Sequence, residues 1–150
     1  MANTYYSLTI HCVFSTRRRE PLITEELKER LWLFIGGILR QNKMKTLCVG
    51  GVADHIHLLM SLPTTMSVAK AIQLVKGNSS KWVHEAFPQQ RSFEWQKGCA
   101  AFSVSVSHIP QTVAYIKNQV EHHRTKSFME EYLSFLKKHR IDYDERYLLF

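Results

Sequence analysis

Apolar and polar residues alternate along residues 4–16, with Tyr6, Leu8, Ile10, Cys12 and Phe14 on one side and Ser7, Thr9 and His11 on the other. Successive strand side chains point to opposite faces, so this period of two predicts a half-buried strand. It runs into a basic turn, RRREP. Over residues 24–42 the period lengthens: Leu27, Leu31, Phe34, Ile35 and Ile38 recur at the three- and four-residue spacing of one helix face. Thr24 stands as the N-cap, and Glu25 and Glu26 follow where the helix dipole favours negative charge. The pair Gly36-Gly37 either weakens this helix or marks a close approach to a sheet.

Residues 45–63 read as two strands joined by a tight turn around Ala53-Asp54 and stopped by Pro63. A second helix covers 67–87, capped by Ser67, with Val68, Ile72, Val75 and Trp82 as its apolar side and Gly77-Asn78 as a candidate break. Alternation returns within 93–107, where Phe102, Val104 and Val106 share a face. Pro110 suits the first turn of a third helix over 109–126, and a fourth covers 127–140 ahead of the tail IDYDERYLLF. The order β-α-β-β-α-β-α-α predicts an α+β domain, an antiparallel sheet with helices packed on it in a ferredoxin-like (RRM-like) arrangement. A C-terminal helix carrying Tyr115 is added to that frame.

At 150 residues, 45% hydrophobic and 22% charged, the chain has ordinary globular composition, and a single domain over 1–150 is expected. The longest apolar runs, such as LWLFIGGIL, are too short to cross a bilayer. No positive segment precedes an apolar one near the N-terminus, so no signal peptide, no membrane association and a cytoplasmic location are expected. Cys12, Cys48 and Cys99 are odd in number and form no C-x-x-C pair, which favours buried thiols over disulfides or a zinc knuckle. A net charge of +7 is the first functional hint, since it suits a polyanion, nucleic acid above all.

The chemistry concentrates in GGVADHIHLLMSL, residues 50–62. His55 and His57 lie on the same side of a strand. They fit a metal site, an acid–base pair or two polar residues near the surface. Several classes that use H-x-H are excluded. A metal-hydrolase (β/α) barrel needs about 250 residues. The H-x-H-x-D-H signature needs an aspartate, and a histidine triad a third histidine, where Leu59 stands. A cupin needs more strands and fewer helices. Two imidazoles leave a metal site incomplete, and a further ligand must come from elsewhere. In AYIKNQVEHH, Tyr115 and Gln119 are four residues apart, on one face of one helix. A tyrosine hydroxyl can attack phosphorus and a glutamine carbonyl can ligate a hard cation, although Tyr115 alone also reads as a packed amphipathic residue. His122 and His123 read as a solvated last turn.

With these residues in hand, the sequence resembles the single-tyrosine H-U-H transposases of the insertion-sequence-200 type. His55-Ile56-His57 matches H-U-H, and Tyr115-Ile116-Lys117-Asn118-Gln119 matches Y-x-x-x-Q. The likeness extends through Arg17–Arg19, GGVADHIHLL, KGNSSKW, FEWQKGCAAFSVS, YIKNQVEHHRTKSF and YDERYL, with Cys99-Ala100 standing where an aromatic residue and often a glycine are expected. The resemblance implies cleavage and rejoining of single-stranded DNA at insertion-sequence ends. Tyr115 would form a 5′-phosphotyrosine, and His55, His57 and Gln119 would hold a divalent ion, Mg²⁺ or Mn²⁺. It further implies hairpin-ended single-stranded DNA as partner and a homodimer in which the tyrosine helix of one subunit can complete the other's site. Arg17, Arg18, Arg19, Lys76, Asn78, Ser79, Lys81 and Trp95 are the candidate DNA contacts, the cations for phosphate and Trp95 for stacking on bases. Two alternatives share much of this pattern. One is a domesticated tyrosine transposase associated with repetitive extragenic palindromes; the other is a non-catalytic ferredoxin-like nucleic-acid-binding module.

Overall fold

The computed structural model describes residues 3–148, so the first two residues of the chain and the last two of the expected tail lie outside the described residues. Four strands, β1 (Thr9–Ser15), β2 (Lys45–Val52), β3 (His55–Ser61) and β4 (Ala100–Ser103), form one antiparallel sheet in the order β2-β3-β1-β4. The helices are α1 (Glu25–Gln41), α2 (Val68–Ala86), α3 (Ile109–Lys117), α4 (Gln119–His122) and α5 (Phe128–Lys138). This is the expected α+β arrangement, with a tyrosine-bearing helix added after the last strand.

The alternation of β1 and β3 sorts their side chains into two cores. Cys12, Phe14, Ile56, Leu58 and Met60 face α1 and α2, meeting Leu27, Leu31, Ile35, Ala71, Ile72 and Val75. Both helices are capped as their sequences predict, Thr24 accepting from the Leu27 amide and Ser67 from the Lys70 amide. On the opposite face, Val13, Ala100 and Phe102 pack against Phe128, Tyr132 and Leu136 of α5. Leu59 and Cys48 pack against Ile116 of α3. The sheet is therefore covered on both sides.

That second layer overturns the half-buried reading of the first strand. Thr9 and His11, on its polar side, are buried, His11 against Phe135 of α5 and Phe102 of β4. Three further expectations change. The first strand begins at Thr9, leaving Tyr5 and Tyr6 exposed before it. Val106 lies in a short 3-10 turn and is exposed, because β4 ends at Ser103. The helix expected over 109–126 breaks at Asn118, whose amide donates back to Ala114 and Tyr115. By contrast, α2 runs unbroken through Gly77-Asn78. In α1, the Gly36 carbonyl accepts from the Thr46 hydroxyl on β2, so that glycine pair does mark a helix–sheet approach.

Two other glycines set the geometry around the histidines. A Cβ on Gly51, which adopts φ +156°, would strike the His55 carbonyl oxygen. A Cβ on Gly50 would lie 2.8 Å from both the carbonyl oxygen and a side-chain carbon of Ile116, next to Tyr115. The bare glycine lets α3 sit directly on β2. Gly50→Ala is expected to push α3 outward and to destabilise the fold by about 1–3 kcal/mol, the usual cost of overpacking. Urea unfolding followed by circular dichroism measures this.

Candidate active site

The hairpin turn at Ala53-Asp54 starts β3, and its alternation directs His55 and His57 to the face covered by the C-terminal helices. Both rings are fully buried. Nε2 of His55 lies 3.0 Å from Oε1 of Gln119, while Nδ1 lies 2.7 Å from the Asp54 carboxylate. Nε2 of His57 lies 3.0 Å from Oε1 of Glu131, and its Nδ1 lies 2.8 Å from Nε2 of His11 on β1. Despite the break at Asn118, Gln119 stays close to Tyr115, its amide donating to the Tyr115 carbonyl at 3.3 Å. Tyr115 stands edge-on to His57, with ring centres 5.6 Å apart, and its hydroxyl donates to Oε2 of Glu131. His55, His57, Tyr115 and Gln119 thus come together within one chain.

The centre of the cluster is Glu131, which neither motif contains. The capping box of Ser127 and Glu130 starts α5, and Phe128, Tyr132 and Leu136 bury one face of that helix. Glu131 lies on the same face, 1% exposed. Its carboxylate meets His57, His123 at 3.3 Å, His122 at 3.1 Å and His55 at 3.5 Å. His122 and His123, expected in a solvated turn, instead close one side of the site. His122 Nε2 also lies 3.0 Å from the Tyr115 hydroxyl, and His123 Nε2 lies 3.0 Å from Oε1 of Gln119. The sequence does carry a signal for Glu131: an acid three residues after Phe128 and one before Tyr132 falls on the apolar stripe of its helix.

Electrostatics follow from this packing. Burial opposes a charge on Glu131, but hydrogen bonds with His123 and His57 outweigh it and hold the carboxyl well below its ordinary range. Burial pushes the Tyr115 hydroxyl well above the usual phenol value, and the neighbouring Glu131 carboxylate pushes it further. Burial, aided by the neighbouring His57, lowers His11 to about 3, and burial also lowers His57. For His123 burial disfavours the cation, yet contact with Glu131 raises its value overall. In the window from the ordinary histidine value down to about 3, the unfolded chain binds a proton at His11 that the folded chain excludes. Stability must therefore fall as pH drops through that window. Chelator-treated protein is expected to lose about 2 kcal/mol from His11 alone between about pH 7 and pH 5. Urea titrations at the two pH values measure the difference.

The donor set suits a divalent cation. His55, His57, His123 and Glu131 each offer a ligand atom, and these atoms all lie within 4.8 Å of one another. The Gln119 carbonyl oxygen borders the same space. Three imidazoles with a carboxylate favour borderline transition ions over the oxygen-seeking Mg²⁺. A cleft of about 620 Å³ opens beside the cluster, lined among others by Tyr115, His122, Glu131, Phe135, Lys138 and His139.

The candidate DNA contacts divide into two groups. Arg18, Arg19 and Lys81 are exposed, as is Arg17, which pairs with Glu94 at 2.7 Å. Asn78 is turned onto its own helix, donating to the Leu74 carbonyl. Lys76, Ser79 and Trp95 make contacts within the fold. Lys76 donates to the carbonyls of Gln96 and Gly98 and sits over the Phe14 ring. Trp95 packs edge-on against Phe14 and Phe93 and donates to the buried Ser79 hydroxyl, so no ring face is open to a base.

Comparison with known proteins adds an independent line. The family model described as Transposase IS200 like matches residues 4–119. The transposase for insertion sequence element IS200 of Salmonella typhimurium is 25% identical over 137 residues, 89% of this chain and 88% of that protein. The ISDra2 transposase TnpA of Deinococcus radiodurans is 24% identical over 119 residues, 76% of this chain and 85% of its own. Among solved structures, a candidate transposase from Deinococcus radiodurans superposes with a TM-score of 0.64 at 22% identity, covering 79% of this chain and 95% of that one. A REP-associated tyrosine transposase bound to a REP hairpin gives 0.58 at 19% identity, covering 81% and 74%. The two structures share the fold. The family match ends at Gln119, so His122, His123 and Glu131 lie beyond it.

Proposed function

Because the chain belongs to the IS200-like transposase family, we propose that it cleaves and rejoins single-stranded DNA at insertion-sequence ends, with Tyr115 as nucleophile. One observation carries this reading: the Tyr115 hydroxyl stands against a buried cluster of His55, His57, His123, Gln119 and Glu131, all from its own chain. A packed amphipathic tyrosine or a purely binding module would not require that convergence.

In the reaction, the Tyr115 oxygen bonds to the scissile phosphorus and the bond from phosphorus to the 3′ oxygen breaks. The products are a 5′-phosphotyrosine and a free 3′-hydroxyl, which takes up a proton. The phosphodiester energy is retained in the tyrosyl ester, so rejoining is the reverse displacement and needs no nucleotide. Tyr115 must lose its proton in this step, and Oε2 of Glu131 and Nε2 of His122 already face it. Burial and the Glu131 carboxylate raise the Tyr115 hydroxyl, so its ionisation needs positive charge brought beside it. His55, His57, His123 and Glu131, with the Gln119 carbonyl beside them, would hold the ion, Mn²⁺ in preference to Mg²⁺, and a cation there would stabilise negative charge on the phosphate and on the phenolate.

The cleft beside Tyr115 would take the strand to be cut. Lys138 and His139 supply cationic or polar edges and Phe135 an aromatic face for a base. The exposed Arg17, Arg18, Arg19 and Lys81 would hold phosphates of the hairpin, as one relative binds a REP hairpin. Pairing of two copies would present both ends of an element together, each copy carrying a complete site. The test is a labelled single-stranded hairpin incubated with the protein and Mn²⁺, followed by denaturing electrophoresis. A covalent protein–DNA band, lost with chelator, supports the reading; hairpin binding with no such band in Mn²⁺ or Mg²⁺ overturns it.

A further inference from the structure

His11 belongs to neither motif, yet its ring is buried beside the site. It lies 5.1 Å from the ring of His57 and is held edge-on by Phe135 at 5.2 Å and by Phe102. Its Nε2 is the partner of His57 Nδ1, at 2.8 Å. We propose that His11 is the positioning residue for His57, fixing the orientation of that ring and switching its tautomer so that Nε2 is released as a metal donor. This rests on the metal reading above.

The switch follows from the partners. An ionised carboxylate only accepts hydrogen bonds, so in the metal-free site His57 Nε2 donates to Glu131. A neutral His57 then accepts at Nδ1, and His11 Nε2 must be the donor. A metal ligand needs a lone pair on Nε2, which moves the His57 proton to Nδ1. That proton has one acceptor within reach, His11 Nε2, and His11 then carries its own proton on Nδ1. The balance closes. One proton leaves His57 Nε2 for water, one crosses from His11 Nε2 to His57 Nδ1, and one enters His11 Nδ1 from water. Each ring keeps one proton, and the pair releases none.

A route for the entering proton exists. Among the described residues, no buried side-chain nitrogen or oxygen lacks a partner. The His11 contacts within the protein use Nε2, and the ring lines the cleft, so Nδ1 reaches cleft water. His55 is built differently: its Nδ1 lies 2.7 Å from the Asp54 carboxylate, a partner that only accepts when ionised. One ligand is thus fixed by an anion and the other by a partner able to donate or accept.

The experiment combines two measurements on the full chain. Long-range ¹H–¹⁵N correlation spectra of histidine-labelled protein report which nitrogen is protonated. With chelator, His11 and His57 should both be Nε2–H; with Zn²⁺ as a diamagnetic probe, both should be Nδ1–H. Calorimetric Mn²⁺ titration should show that His11→Phe weakens binding about 10- to 100-fold, the usual cost of losing a ligand's hydrogen-bond partner. His11→Gln, whose amide offers either a donor or an acceptor, should restore most of that loss. The proposal is overturned if His11 keeps one tautomer on Zn²⁺ addition, or if His11→Phe binds Mn²⁺ within about twofold of wild type. Because the spectra use the unmutated protein, they decide the matter even if His11→Phe fails to fold. Wild-type protein that binds neither ion would instead overturn the metal reading beneath the proposal.

Discussion

Tyr115→Phe is expected to abolish the covalent protein–DNA adduct. The change removes one oxygen and leaves the ring, so the edge contacts with His57 and Phe135 remain. Glu131 loses one donor but keeps His57, His122 and His123 around it. The fold should therefore hold, and cleavage should fall by about 10⁴-fold or more, equivalent to at least about 5.5 kcal/mol of barrier, because no group replaces the nucleophile. Hairpin affinity should stay within about threefold of wild type, since it depends on phosphate contacts elsewhere. Electrophoresis with labelled hairpin measures the first quantity and a filter-binding titration the second. Adduct formed at the wild-type rate would remove Tyr115 from the chemistry.

The second large effect is expected from His57→Ala. His57 offers Nε2 to the cluster and also hydrogen-bonds the buried Glu131 carboxylate. Its loss deletes one ligand and leaves part of a buried anion unpaired, so ion affinity should fall by about 100-fold or more. Adduct formation in Mn²⁺ should fall with it, and excess Mn²⁺ should restore only part. Calorimetry with Mn²⁺ and the adduct assay across Mn²⁺ concentrations follow both. Unchanged affinity in His57→Ala would place the ion elsewhere.

Much of this molecule can be read from its sequence, and the limits have physical causes. β1, β3, α1 and α2 follow from period and capping because their apolar faces meet one large core. The H-U-H and Y-x-x-x-Q residues stand out because such side chains are costly to bury without a purpose. What was not legible depends on which segments cover the second face of the sheet. A single strand cannot reveal that α5 will pack over Val13 and His11 of β1, and so His11 reads as a surface position. His122 and His123 follow Tyr115 by seven and eight residues, on the same helix face, and what stayed hidden is that the Glu131 carboxylate of α5 closes over that face. Glu131 was legible only as an acid on an apolar stripe, a signal easily credited to the helix dipole of a first turn. Trp95 stands near basic residues in the sequence, and its packing against Phe14, Phe93 and Ser79 depends on the tertiary fold.

The central claim is that Tyr115, beside the cluster of its own chain, becomes linked to DNA. The most direct measurement is tandem mass spectrometry of the adduct trapped on a single-stranded hairpin in Mn²⁺, after proteolysis and nuclease trimming. The account predicts a 5′-phosphonucleotide on the peptide containing Tyr115, on the phenolic oxygen. The same mass on a peptide carrying another tyrosine, such as Tyr132 or Tyr143, or no linked nucleotide at all, would contradict it.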